Sequence, residues 1–119
     1  MYRFNVYFEN TLIGWTNLEL GDAPMGVAFG KFVAAPEYST IQSQVIASSI
    51  SHQPFPSLSV HLSDGTVVEP SSGVTLTDYS PDLGPDGIEI SVLGLAYPQY
   101  AQIFPEHVAA YEQLFPSGV

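Results

Sequence analysis

Residues 18–33, Leu-Glu-Leu-Gly-Asp-Ala-Pro-Met-Gly-Val-Ala-Phe-Gly-Lys-Phe-Val, constrain this chain more than any other stretch. Three glycines, one proline and Asp22 interrupt a mostly apolar run. Glycine reaches positive φ at little cost and proline fixes φ, so residues 21–26 read as a shaped loop. Strand-like sequence lies on both sides, and the loop therefore ties two β segments together. It lacks the Lys-Ser/Thr pair of a phosphate cradle and the spacing of a dinucleotide fingerprint, and Asp22 in its centre repels phosphate. The expectation is architecture: Gly26 with positive φ, and a loss of stability on Gly26→Ala.

The remaining chain falls into place around that loop. Tyr2, Phe4, Val6 and Phe8 alternate with Arg3, Asn5 and Tyr7, the period of a half-buried strand. Glu9-Asn10 makes a two-residue turn, with Asn10 as the residue tolerant of a left-handed conformation, and residues 11–20 return. Gly14 inside that return strand points to a bulge or a close backbone approach. Residues 27–33 form a third strand. Pro36 and Glu37 suit the first turn of a helix, and Tyr38, Ile41, Val45, Ile46 and Ile50 recur at near-helical spacing, which predicts an amphipathic helix over 36–51. Leu58, Val60 and Leu62 alternate up to Asp64-Gly65, a strong hairpin signal, and residues 66–69 return. Residues 74–77 form a weaker strand, 78–87 a Pro- and Gly-rich loop, and 88–95 a well-formed strand. The tail is helical in two pieces, broken at Phe104 before Pro105, with Val108, Tyr111 and Phe115 as its buried stripe and Pro116 as its stop. The plan is α+β: a mostly antiparallel sheet, order βββ-α-ββββ-α, with one central and one C-terminal helix packed on it, in one domain over residues 1–119.

Charge narrows the functional classes. Twelve acids face two bases, Arg3 and Lys31, for a net charge of −10, and no Lys or Arg occurs after residue 31. Such a field repels nucleic acid and anionic lipid, and it speeds association with a basic protein. Charged residues are only 12% of the chain, about half the usual share, which leaves room for an apolar association patch. Cysteine is absent, so disulfides, thiol catalysis and cysteine-based metal centres are excluded. The first nine residues alternate and carry an early acid, unlike a signal peptide, and no apolar run approaches the ~20 residues of a membrane span. The expected location is the cytoplasm, with no membrane association.

Asp78, Asp82, Asp86 and Glu89 crowd one loop. Their spacing does not match the EF-hand pattern, and the expectation is an acidic surface that contacts a partner, with no metal and no cofactor. His52, His61 and His107 share no ligand spacing; His61 would face Glu69 across the Asp64-Gly65 hairpin as a weak acid–base pair. No Gly-x-Ser-x-Gly elbow and no Ser–His–Asp order stands out, and no catalytic residue is assigned. Tyr97, Tyr100, Phe104 and Tyr111 gather aromatic groups around the break in the tail, a composition that suits core or a partner surface.

Over residues 12–38, Leu12-Ile-Gly, the stretch from Leu18 to Phe32 and Pro36-Glu-Tyr38, the chain resembles a group of small bacterial proteins of unassigned function. That resemblance implies a compact bacterial domain and transfers no catalytic residue. In acidity, size and α+β character the chain also resembles the immunity proteins that neutralise basic toxin nucleases. The leading expectation is a non-enzymatic, acidic interaction module that binds a basic protein partner through Asp78, Asp82, Asp86 and Glu89. A self-associating homo-oligomeric subunit with a tyrosine-rich face is the second. A small metal-dependent hydrolase using His61, Glu69 and the acidic loop is the third.

Overall fold

The computed structural model describes residues 2–115. Its fold is α+β, with two antiparallel sheets where the sequence reading expected one. The first sheet has the order β5-β2-β1-β6-β7, built from β1 (Phe4–Phe8), β2 (Thr11–Thr16), β5 (Val33–Ala34), β6 (Leu58–Leu62) and β7 (Val67–Val68). The second has the order β3-β4-β9-β8, built from β3 (Leu20–Asp22), β4 (Val27–Lys31), β8 (Val74–Asp78) and β9 (Ile88–Val92). Two predicted strands are cut to make this division. The return strand 11–20 ends at Thr16, and the chain crosses to the second sheet through Leu18, whose φ is +45. The strand 27–33 ends at Lys31, and Phe32, buried between β4 and β5, carries the chain back to the first sheet. Strands that bend from one sheet into another form the corners of packed β structures.

Several local signals in the sequence correspond to turns and bulges in the structure. Glu9-Asn10 turns the β1–β2 hairpin, although the left-handed φ of +53 falls on Glu9. A register shift opposite Val6 and Tyr7 places a bulge beside Gly14. The Asp64 side chain accepts the Thr66 amide at 2.8 Å, an Asx turn that closes the β6–β7 hairpin. Gly26 has φ +65, and a Cβ there would lie 2.9 Å from the Leu95 amide nitrogen.

Helices depart further from the reading. Residues 36–51 divide into a 3-10 turn, Pro36–Thr40, and the helix α1, Gln42–Ile50. Tyr38, Ile41 and Val45 are buried, whereas Ile50, the last residue of α1, is exposed although Ser49 beside it is buried against β8. The expected loop 78–87 contains a short helix, α2 (Ser80–Leu83), and a 3-10 turn, Gly84–Gly87. The tail is helical in two pieces, α3 (Gln99–Ile103) and α4 (Pro105–Leu114), with the break at Phe104. Pro116, the expected stop, lies outside the described residues.

One buried cluster joins both sheets. Phe4, Val6, Ile13 and Val60 from the first meet Ala28, Leu76, Ile90 and Val92 from the second, with Val45, Tyr100 and Phe104 from the helices. Burying each large apolar side chain contributes about 1.5–3 kcal/mol, so this cluster, not the modest helix propensities, holds the helices in place.

Candidate functional site

The two edges of the second sheet carry the features of interest, and both are flanked by helices. At the β8 edge stands the segment expected to be an acidic contact surface. Asp82, Asp86 and Glu89 are exposed there, but Asp78 is not. As the last residue of β8 it points inward and is 1% exposed. Its carboxylate accepts the Tyr38 hydroxyl at 2.6 Å, the Ser80 amide at 2.8 Å and the Gln42 side-chain amide at 3.2 Å. Its own amide donates to Ser49 Oγ at 2.9 Å, so Asp78 bolts α1 and the 3-10 turn to the end of β8. Of the four acids expected to contact a partner, Asp78 is the buried one, with its carboxylate engaged by Tyr38, Ser80 and Gln42.

The electrostatics of that network follow from its geometry. Burial pushes the Asp78 carboxyl up, but hydrogen bonds from Ser80, Tyr38 and Gln42 outweigh it and hold the group below its ordinary value. The Tyr38 phenol is pushed well above its ordinary value, first by burial and then by the hydrogen bond to that carboxylate. No buried side-chain nitrogen or oxygen among the described residues lacks a partner, which makes this a fully satisfied polar network.

The exposed acids of this edge are partly neutralised. Lys31, distant in sequence, stands opposite Glu89 in the β4–β9 register and forms an ion pair with Asp86, whose carboxylate raises the Lys31 ammonium above its usual range. The other base, Arg3, pairs with Glu106 and lies 5.3 Å from the centre of the Phe104 ring. Every acid except Asp78 is exposed.

At the β3 edge the arrangement differs. The helix α4 touches β3 through His107, which is buried, stacks on Phe104 at 4.9 Å and bonds through Nε2 to the Leu18 carbonyl oxygen at 2.8 Å. A carbonyl only accepts, so Nε2 carries the proton. Gly21 permits the contact: a Cβ there would lie 2.6 Å from the Tyr100 hydroxyl and 2.7 Å from the His107 ring. Beyond His107 the helix leaves the strand, and a groove of about 660 Å³ opens between them. The stripe expected to be buried is largely bare: Val108 is half-buried, Tyr111 and Phe115 are exposed, and Leu114 beside them is 74% exposed. Length explains this, since ten helical residues span about 15 Å and a three-residue strand covers about 10 Å. A signal was present in the sequence: His107, Tyr111 and Leu114 share a helix face that continues past the glycine.

The tyrosine-rich face expected for self-association is divided, because Tyr100 and Phe104 are core while Tyr97 and Tyr111 are exposed. His61 packs against Tyr7 with the rings tilted and their centres 4.7 Å apart, it lies 3.2 Å from Ser59 Oγ, and the structure shows no bond between it and the exposed Glu69. Among the described residues no group of three or more His, Cys, Asp or Glu is arranged to hold a metal ion. A smaller cavity of about 360 Å³ beside the end of α1 is lined by Ser48, Thr75 and Tyr79, with His52 and Phe55. No helix among the described residues is long and apolar enough to cross a membrane.

Comparison with protein-family models, with curated proteins and with solved structures finds no match.

Proposed function

We propose that the protein is a non-enzymatic interaction module that binds a basic protein partner, with immunity-type inhibition of a basic toxin as the sharpest form of that role. One observation supports it most. Both bases of the chain are held by acids, Arg3 by Glu106 and Lys31 by Asp86, while all acids but Asp78 lie at the surface. The solvent-facing field is therefore negative and largely unopposed, which steers a basic protein and repels phosphate and like-charged proteins. Asp82 and Glu89 remain as contacts on the β8 side.

Stopped-flow association with a basic nuclease domain tests the reading. Its association rate constant is expected to fall steeply as ionic strength rises, and the complex is expected to suppress nuclease activity. An association rate that ignores salt, or no binding to any basic protein at low salt, counts against it.

A further inference from the structure

We propose that the groove between β3 and α4 is the docking site for a basic amphipathic segment of another protein. This inference rests on the acidic-module reading and adds where the partner sits and what holds it. Leu20 and Phe29 form one wall, and Tyr111, Leu114 and Phe115 form the other. Leu20 and Phe29 are register partners on the outer face of the second sheet. Single exposed apolar residues are ordinary on a protein surface, but four across one concavity, with half-buried Phe29 between them, form a patch of the kind that marks association.

The frame around the patch is built rather than loose. His107 is fixed at the floor by its bond to the Leu18 carbonyl and by stacking on Phe104. β3 is an edge strand, and among the described residues the backbone of Leu20 and Gly21 shows no hydrogen bonds to turns or loops besides its pairing with β4. The groove thus offers apolar walls with polar backbone alongside, as peptide-binding grooves do.

Charge selects the occupant. Glu19 and Asp22 line the groove, both are exposed, and neither forms an ion pair among the described residues. Lys31 pairs with Asp86 and also lies near Glu19, whose carboxylate accepts the Lys31 backbone amide at 3.3 Å, so Asp22 is the rim acid with no base beside it. A second copy of this chain, itself of net charge −10, would bring the same two acids to the interface. A segment with Lys or Arg beside its apolar side chains satisfies both the walls and the rim.

The test uses a fluorescent Leu/Lys amphipathic peptide of about 14 residues, a Ser/Lys version without the apolar face, and a Leu/Glu version without the positive charge. The Leu/Lys peptide is expected to bind and to shift the backbone amide NMR signals of Leu20, Phe29, Tyr111 and Leu114, while the other two bind far more weakly. Leu114→Ser and Phe115→Ser, both at exposed positions, are each expected to weaken binding about tenfold. Glu19→Gln with Asp22→Asn is expected to weaken it and flatten its salt dependence, and Glu69→Gln, at an exposed acid just after β7, to leave it unchanged. Equal binding by the Ser/Lys peptide, unchanged binding by the Leu114 and Phe115 variants, or a dimer by sedimentation that Leu114→Ser dissolves would overturn the proposal. Binding that maps to Asp82 and Glu89 would overturn the groove alone and leave the acidic-module reading standing. No binding of any basic probe at low salt would remove both.

Discussion

The second sheet solves the same problem twice. An edge strand leaves unpaired backbone groups exposed, and each edge here is flanked by a helix. At β8 the helix α1 is tied down by polar groups that satisfy one another: Asp78, Tyr38, Gln42, Ser49 and Ser80. At β3 the helix α4 is held at one end by His107 against Gly21, and the rest of its apolar face stays open. The first edge spends its chemistry on the fold, and the second keeps its chemistry available. A buried polar network is intolerant of change because each lost partner strands another group, whereas exposed apolar side chains contribute little to folding.

The largest expected effect is at the closed edge. Asp78→Ala leaves the Tyr38 hydroxyl and the Ser80 amide without their acceptor, and it should cost about 3 kcal/mol in urea unfolding. A loss below about 1 kcal/mol would erase the contrast between the edges.

The same network sets a pH dependence of its own. The folded Asp78 carboxyl lies below its unfolded value, so its contribution is full above 3.8 and is lost as pH falls through the folded value. The folded Tyr38 phenol lies above its unfolded value, so its contribution is full below 10.0 and fades as pH rises past it. Urea midpoints of Asp78→Asn should therefore fall less steeply than wild type below pH 3.8, and those of Tyr38→Phe should flatten above pH 10.0. Parallel curves would mean the network carries no titration.

Gly26→Ala probes how the open edge is held. The turn into β4 needs the positive φ, and the new Cβ would press on the Leu95 backbone, which donates its amide to the Gly26 carbonyl at 2.8 Å. A loss of about 2 kcal/mol is expected, from left-handed strain and overpacking together. An unchanged melting temperature would show that β3 is anchored by some other means.

The smallest effect belongs to the groove. Leu114→Ser should change unfolding stability by less than about 0.5 kcal/mol while it weakens peptide binding. A large loss of stability there would mean that the wall of the groove is core and that the two edges are alike.

Much of this was legible from residues a few positions apart. Period-two alternation marked Phe4–Phe8 and Leu58–Leu62, Asp64-Gly65 marked a hairpin, Pro105 marked the break in the tail, and Gly26 marked the left-handed turn. Each depends on backbone sterics or side-chain period within one element, which a neighbour in sequence suffices to determine. The site was legible only in part. An excess of acid announced a basic partner, yet Asp78 and Asp82 looked alike in sequence, and only the inward face of β8 and the arrival of Tyr38 and Gln42 separate them. Lys31 was visible as a base but not as the partner of Asp86. The division of the strands between two sheets, and the length of β3 against that of α4, were settled by long-range pairing. By itself the sequence determined the local elements and the sign of the charge. The tertiary structure decided which acids and apolar groups remain at the surface, because burial is a property of what packs against a residue and not of the residue's neighbours along the chain.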